Sequence, residues 1–433
     1  MLSRRGFLVS GSLAFAATAI AVDPKVSSDW SAVRREFDLD PDLLHLSLFY
    51  MTPHPRPVRA AVETYRRQLD ANPFLAVEHG LFDFEHYDKT HPVVVANAIG
   101  AYIGGKGEDV ALTHNTTTGL AIIYHGLPLK AGDEILTTTH DHYVHHESIR
   151  LAAERAGATW RKISLWDDHK AISADDIVAR IRKGIGPKTR VVGVTWVHSS
   201  SGLKLPIRRI ADAIAAVNES RDAKSRVLLV VDGVHGIGVE DPNVAASGAD
   251  AFAAGTHKWL FAPRGTGFVW AKPEVWATMR PLIPTFSSGE LWEGWANEKP
   301  PAGTPRAAWF TPGGFQAFEH WWAVPAAIDM HRRIGIQRIT TRIHELNAMA
   351  KSELAKMPHV TLYTPQSREL SSGIVCFDVA GKTAFQVMET LQKRDRILAS
   401  TTPYRTPSAR IAFGIYNTEA EVEKTVRAIR ALA

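Results

Sequence analysis

An α/β fold is what this sequence predicts: a mostly parallel sheet in a large domain, followed by a smaller α+β domain. Three observations carry that expectation. Short apolar runs alternate with helical apolar spacing through the middle of the chain, the rhythm of βαβ units. Beyond about Arg333 that rhythm gives way to one long amphipathic helix and shorter, mixed elements. The length, 433 residues with 45% hydrophobic and 22% charged, excludes disorder and leaves room for two or three packed domains.

The chain opens with Ser3-Arg4-Arg5-Gly6-Phe7-Leu8, a weakly apolar stretch to Ile20 and the small-x-small sequence Ala19-Ile20-Ala21. Residues 1–21 therefore read as a signal peptide cleaved after about Ala21. The apolar run is too short and too rich in Ala, Gly and Ser for a stable membrane span. The paired arginines resemble a twin-arginine signal, which implies a folded, cofactor-loaded protein handed to the twin-arginine export machinery and a periplasmic location. An ordinary secretory signal, or a chance pair, is the alternative.

Residues 22–75 form an N-terminal segment, a linker over Asp23 to Ser31 and then helical spacing from Pro55 to Leu69 behind Pro53-His54-Pro55-Arg56-Pro57. Residues 76–332 form the large domain. Its predicted strands are Glu134 to Thr137, Thr189 to Val194, Val227 to Val231 and Ala251 to Ala254; its predicted helices are Glu147 to Ala156, Ala174 to Ile181 and Ile207 to Val217. Parallel strands of this kind collect polar loops at their carboxyl ends. Phe286 to Pro312, rich in Pro, Gly and Trp, is the most loop-like long segment. Residues 333–433 form the small domain, with strands near Val360 to Leu362, Ile374 to Phe377 and Arg410 to Phe413, and helices at Thr383 to Lys393 and Glu419 to Leu432. No repeat or low-complexity tract interrupts the chain.

The net charge of +5, or +3 once Arg4 and Arg5 are removed, demands no nucleic acid. The single cysteine, Cys376, excludes an internal disulfide, a CxxC pair and a Cys-based zinc site. It lies in an apolar run and reads as buried filler. His140, Asp141, His142, His145 and His146 invite a zinc or iron reading, but one of these rings has another use, described below, and the others read as lining an entrance. No metal is expected.

The most informative stretch is Leu228-Leu229-Val230-Val231-Asp232-Gly233-Val234-His235-Gly236, followed by Gly255-Thr256-His257-Lys258-Trp259. Asp232 closes an apolar strand where packing needs no carboxylate, and Lys258 follows another. That pairing suits pyridoxal phosphate (PLP): a lysine carries the cofactor as a Schiff base, while an acid keeps the pyridine nitrogen protonated and the ring an electron sink. As alternatives, Asp232 could cap a helix and Lys258 could be a solvated side chain.

With these motifs the chain resembles the class V aminotransferase family of fold-type I PLP enzymes over nearly its whole mature length. The resemblance assigns roles in the family's order. Asn115-Thr116-Thr117-Thr118-Gly119 looks like the phosphate cup, a use of the positive end of a helix that makes physical sense; a Thr-rich cap without ligand is the bland alternative. Asp141-His142 is similar to the family's acid–His pair, with His142 over the pyridine ring. Ser199 and His235 fall near the cofactor's phenolic oxygen, and Val234 under the ring. His257 matches a phosphate contact, and Thr311 a phosphate contact supplied by a partner subunit, which implies a homodimer. Arg410, ahead of Tyr416-Asn417-Thr418, is similar to the substrate-carboxylate clamp, a task that suits a guanidinium; a surface salt bridge is its alternative. Desulfurases of the family carry a thiol before that arginine. Here Ser400-Thr401-Thr402 stand instead, so thiol-relay chemistry is disfavoured.

Fold and cofactor do not choose the reaction. The Ser199 segment, Asp-Gly-Val-His and His-Lys-Trp look like the isopenicillin N epimerase branch. The twin-arginine pair, Asp29-Trp30, Phe37 to Pro41 and Thr52 to Val58 resemble exported enzymes that tailor pyoverdine siderophores by converting a glutamyl side group to a succinamide-type group. The expectation is a periplasmic PLP enzyme acting on a small-molecule or peptide-like amine. The alternatives are an epimerase or lyase on a small amino acid derivative, and a non-catalytic binding protein on the same scaffold. Trp292, Trp295 and Trp309 offer flat apolar contacts to such a ligand, or packing.

Overall fold

The computed structural model describes residues 29–83 and 85–433. The expected signal segment, with Arg4, Arg5 and Ala21, lies outside them. A two-residue strand, β1 (Leu44–His45), precedes the long helix Arg56–Ala71. The large sheet follows: β2 (Val110–Thr113), β3 (Glu134–Thr138), β4 (Thr159–Ile163), β5 (Thr189–Thr195), β6 (Leu228–Asp232), β7 (Ala251–Gly255) and β8 (Gly267–Ala271). Its order is β2-β8-β7-β6-β5-β3-β4. Only β8 runs antiparallel to its neighbours. This is the mixed α/β architecture, rich in parallel pairs, that the sequence predicts.

β5, β6 and β7 are covered on both faces, which is why they read as unbroken apolar runs. Three strands left no such signal. β4, Thr-Trp-Arg-Lys-Ile, is a sheet edge with no buried residue; β2 has four residues; β8 begins on a glycine. The helices Tyr143–Ala156, Ala174–Gly184 and Ile207–Asn218 connect these strands. The first begins earlier than its apolar spacing suggested, because His142 supplies the cap.

The small domain holds β9 (Val360–Leu362), β10 (Val375–Val379), β11 (Ile397–Leu398), β12 (Ser400–Thr401) and β13 (Ala409–Ile411). Four of them form an antiparallel sheet in the order β12-β13-β10-β9. Its helices Ala384–Asp395 and Glu419–Arg430 each open with a capping box, Thr383/Gln386 and Thr418/Glu421. The long helix Ile336–Leu354 follows Val324–Ile334 after a break at Gly335, whose φ of 97° suits glycine.

The N-terminal segment is not free-standing. β1 pairs in parallel with β11, and Leu44 and Leu46 join Phe377, Ile397, Ile411 and Phe413 in one core. A buried polar joint ties the loops after β5 and β6 to the long helix: Glu240 accepts from Lys204 Nζ at 2.7 Å and from Ser372 Oγ at 2.6 Å, and lies 2.8 Å from His344 Nε2. The loop-like segment also contains a short helix, Gly289–Ala296. Trp292 and Trp295 stand on the surface there, whereas Trp309 is buried, so packing accounts for the last. Cys376 is fully buried in β10, its thiol pushed up to about 12 by burial. Among the described residues no helix is long and apolar enough to cross a membrane.

Candidate active site

Five parallel strands, β2, β3, β5, β6 and β7, send their carboxyl ends to one edge of the sheet. The loops there carry nearly every residue singled out in the sequence, as open α/β sheets dispose their ligand sites.

β6 ends on Asp232, which is 4% exposed. Among the described residues its carboxylate accepts one hydrogen bond, from Val234 N at 3.1 Å. Burial pushes its carboxyl up to about 7, against the pull of nearby Lys258. Gly233 is obligatory, because a Cβ there would run into the Phe252 ring. Val234 is buried. His235 is buried beside it and accepts from Trp259 Nε1 through Nδ1 at 3.3 Å. Burial and the Lys258 and Arg410 charges hold that ring neutral. A neutral imidazole whose Nδ1 accepts carries its proton on Nε2, which leaves a donor for an oxygen.

The turn after β7 carries His257 and Lys258. No hydrogen bond or ion pair engages the Lys258 amine among the described residues. Burial holds it down to about 8, with Asp232 pulling it up and Arg410 pushing it further down. His257 Nδ1 donates to Thr266 O at 3.1 Å, so its Nε2 offers a lone pair unless the ring is protonated.

β2 leads into the helix Thr116–Gly126, capped by the Asn115 carboxamide oxygen on Thr118 N at 2.9 Å. Its first-turn amides have no intrahelical acceptor. Thr116 Oγ1 accepts from Gly255 N at 2.7 Å, so its own proton stays available, and Thr117 is exposed. A Cβ on Gly255 would meet His257 Cε1 at 2.6 Å and Thr116 Oγ1 at 3.3 Å. Gly255 thus keeps open a small cradle edged by hydroxyl and imidazole. Thr311 is tied elsewhere in the chain: its hydroxyl accepts from Leu112 N on β2 at 3.0 Å.

The turn after β3 is pinned by Asp141. Its carboxylate accepts from Thr137 Oγ1, Thr138 N, Thr138 Oγ1 and Thr195 N at 2.7–2.9 Å. These donors, with His145 and His198 close by, hold it well below the usual carboxylate range despite its burial. That anchor sets His142, whose ring is brought down to about 4 by burial and by the charges of Lys258 and Arg410. The other histidines do not line an entrance as expected. His145 and His146 are buried, bonding Tyr124 OH and Thr138 O, because the helix turns them inward. His140 stacks on Trp166 with ring centroids 3.5 Å apart. Among the described residues no group of three or more His, Cys, Asp or Glu could hold a metal ion.

Arg410, on β13, is 4% exposed and meets no carboxylate among the described residues. Its guanidinium donates to Ser400 Oγ at 3.0 Å, Thr401 O at 3.3 Å and Ser199 O at 3.4 Å, and lies 3.9 Å from the Phe49 ring centroid. Its Nε is buried without a partner. A desolvated cation left in this state is unfavourable until an anion arrives. The surface salt bridge considered as its alternative is therefore absent from this site.

Three contributors escaped sequence reasoning. Phe49 lies under Arg410, Thr52 touches the Lys258 turn, and Tyr404 OH lies 3.0 Å from Ser199 Oγ. The signal for the last was present in Pro403-Tyr404-Arg405-Thr406-Pro407, a proline-bounded turn with one aromatic residue between two short strands.

The residues present fit PLP. An unengaged amine, a buried acid without a hydrogen-bonded cation, a neutral imidazole and a glycine-opened cradle at a helix start converge at one sheet edge. Thr311, bound to Leu112 N, stands outside that convergence within the chain.

Comparison with known proteins agrees. The family model described as aminotransferase class V matches residues 51–425. The chain is 30% identical over 424 residues to an isopenicillin N epimerase of Streptomyces clavuligerus, covering 94% of this chain and 98% of that one. It is 27% identical over 435 residues to a probable cysteine desulfurase of Xylella fastidiosa, covering 94% and 96%. Among solved structures, a mutant of C-DES with glycine covalently linked to its PLP cofactor superposes with a TM-score of 0.78 at 19% identity, covering 92% of this chain and 98% of that one.

Proposed function

The chain belongs to the class V aminotransferase family, and from that premise we propose that this PLP enzyme breaks a bond at the Cα of a carboxylate-bearing amine, within an amino-bearing secondary metabolite. One observation carries the reading. Among the described residues the half-buried Lys258 amine, held down to about 8, has no acceptor, and it stands near Asp232 and near an Arg410 that pairs with no carboxylate.

Bound there, PLP supplies a cationic ring that takes up the electron pair released when a Cα bond breaks. The chain's own residues do the rest. Arg410 binds the substrate carboxylate and so fixes Cα. Lys258 Nζ, half-neutral near pH 8, removes the proton from Cα. Asp232 holds the proton on the pyridine nitrogen. His142 covers the ring. The Nε2–H of His235 serves its phenolic oxygen, with Ser199 close by. Thr116, Thr117 and His257 receive the phosphate. Thr311 of a second subunit completes the phosphate contacts in a homodimer; its hydroxyl proton is left to donate.

As the natural substrate we propose the glutamyl group of a pyoverdine-type siderophore peptide, met in the periplasm after twin-arginine export. The N-terminal motifs support this. The similarity to the Streptomyces clavuligerus epimerase, at near-complete coverage, favours a second reading, epimerisation of an amino acid derivative.

The test is an absorbance spectrum of purified protein before and after borohydride, with the labelled peptide mapped. A visible band fixed by reduction onto Lys258, and lost in Lys258→Ala, is the expected result. An unchanged spectrum in that variant overturns the assignment.

A further inference from the structure

Tyr404 stands in a turn of five residues, Pro403 to Pro407, between β12 and β13. The turn is locked at its base: Thr402 N donates to Ser408 O at 2.8 Å, and Ser408 N to Thr402 Oγ1 at 3.0 Å. A proline at each end limits it further. The side chain is thus delivered on a stiff support.

The phenol meets three parts of the site. Its hydroxyl lies 3.0 Å from Ser199 Oγ. Its ring stands edge-on to His142, with centroids 5.9 Å apart at 85°. The carbonyl of the same Ser199 accepts from Arg410 at 3.4 Å. Tyrosine, ring-covering histidine and carboxylate clamp therefore share one wall, built by the small domain and the loops after β3 and β5. Lys258 comes from the turn after β7.

Each of the two hydroxyls has the other as its only hydrogen-bond partner among the described residues. The pair carries two protons and spends one on the bond between them. The second proton is uncommitted, and the charged neighbours of the phenol are Asp141, Asp232 and Arg410.

We propose that Tyr404 is a second proton-transfer group of this site, delivering a proton to the substrate Cα after Lys258 has removed one, and that Ser199 is the positioning residue that aims it. This rests on the reading that Lys258 deprotonates a substrate held by Arg410. The Tyr404 O–H bond breaks and a Cα–H bond forms from the electron pair left at Cα. The phenolate is held by the Ser199 hydroxyl and the Arg410 charge until water returns a proton, while the Lys258 ammonium gives its proton to solvent. Burial keeps the phenol protonated far above neutrality, so it enters as a donor, whereas Lys258 is brought down to about 8 and enters as an acceptor. Groups driven apart in this way take opposite roles. Removal by one wall and return by another inverts Cα.

The holoenzyme is incubated with L-alanine, L-glutamate and L-2-aminoadipate in deuterium oxide. Proton NMR reads α-hydrogen exchange, and chiral chromatography reads the D-enantiomer. The wild type is expected to exchange and invert. Tyr404→Phe, which keeps the ring packing, is expected to exchange but to lower the ratio of inversion to exchange by about 100-fold or more. Ser199→Ala lowers the ratio by a smaller factor, and Ser199→Thr restores it. In cofactor-free protein, the phenolate absorbance missing from Tyr404→Phe is expected to titrate at a different pH in Ser199→Ala than in the wild type.

Exchange with an unaltered ratio in Tyr404→Phe, or exchange without inversion in the wild type, overturns the role of Tyr404 and leaves the deprotonation by Lys258 standing. An identical phenolate titration in Ser199→Ala overturns the positioning role. Absence of exchange on all three probes overturns the deprotonation reading, and the proposal with it.

Discussion

The Thr52 hydroxyl sits 2.9 Å from the carbonyl of His257 and 3.0 Å from that of Lys258, so a residue of the N-terminal arm holds the turn that carries the cofactor lysine. Thr52 is 2% exposed. Replacing it with valine keeps its shape and leaves two carbonyls without this donor. Thr52→Val is expected to cost about 1–3 kcal/mol in urea unfolding and to weaken PLP binding. Unaltered stability and cofactor affinity count against a role for this contact.

Arg410 has no carboxylate partner among the described residues, so its loss removes a ligand contact without stranding a partner charge. Arg410→Ala is expected to weaken binding of carboxylate-bearing amines by about 2–3 kcal/mol, a factor of roughly 30 to 150. Arg410→Lys recovers little, because an ammonium cannot grip a carboxylate with two parallel bonds. Titration of the visible spectrum with L-glutamate measures both. Equal affinities in all three proteins remove Arg410 from the site.

Asp232 and Lys258 make the cofactor-free protein's stability depend on pH in opposite directions. Between the ordinary aspartate value of 3.8 and about 7, the folded state holds a proton on Asp232 that the unfolded chain has lost, so stability falls as pH rises. Between about 8 and the ordinary lysine value of 10.5, the folded state lacks a proton on Lys258 that the unfolded chain retains, so stability returns as pH rises. These two groups therefore place their joint minimum between about pH 7 and 8. Asp232→Asn abolishes the acid-side decline, a difference on the order of a few kcal/mol across that range. Urea unfolding at successive pH values of apoprotein checks it, and parallel curves for the two proteins contradict it.

The proposed periplasmic location depends on Arg4 and Arg5. Replacing both with lysine is expected to hold the protein in the cytoplasm, read by cell fractionation. Normal export in that variant points instead to the general secretory route.

Much of the large domain was legible because buried parallel strands write themselves as apolar runs. Asp232 and Lys258 stood out as polar residues where such runs end. β4 and β8 were not legible: one is an edge strand without a buried residue, the other starts on glycine. Phe49, Thr52 and Tyr404 were hidden for another reason. Each reaches the site from a distant part of the chain, through short strands and turns whose local pattern says nothing about what they will face. The inward turn of His145 and His146 was likewise invisible until the helix start at Tyr143 was known.

Leu44 lies beside Ile397 in the pairing of β1 with β11, with the whole large domain between them in the chain. During synthesis the N-terminal arm has no strand to pair with until β11 has been made. Phe49 and Thr52 hang from that arm, so the floor under Arg410 and the grip on the lysine turn arrive late. A chain cut short before β11 loses more than its tail; it also loses the anchor of its own beginning. The pairing makes the contacts that Phe49 and Thr52 bring to the site depend on a strand made after the whole large domain.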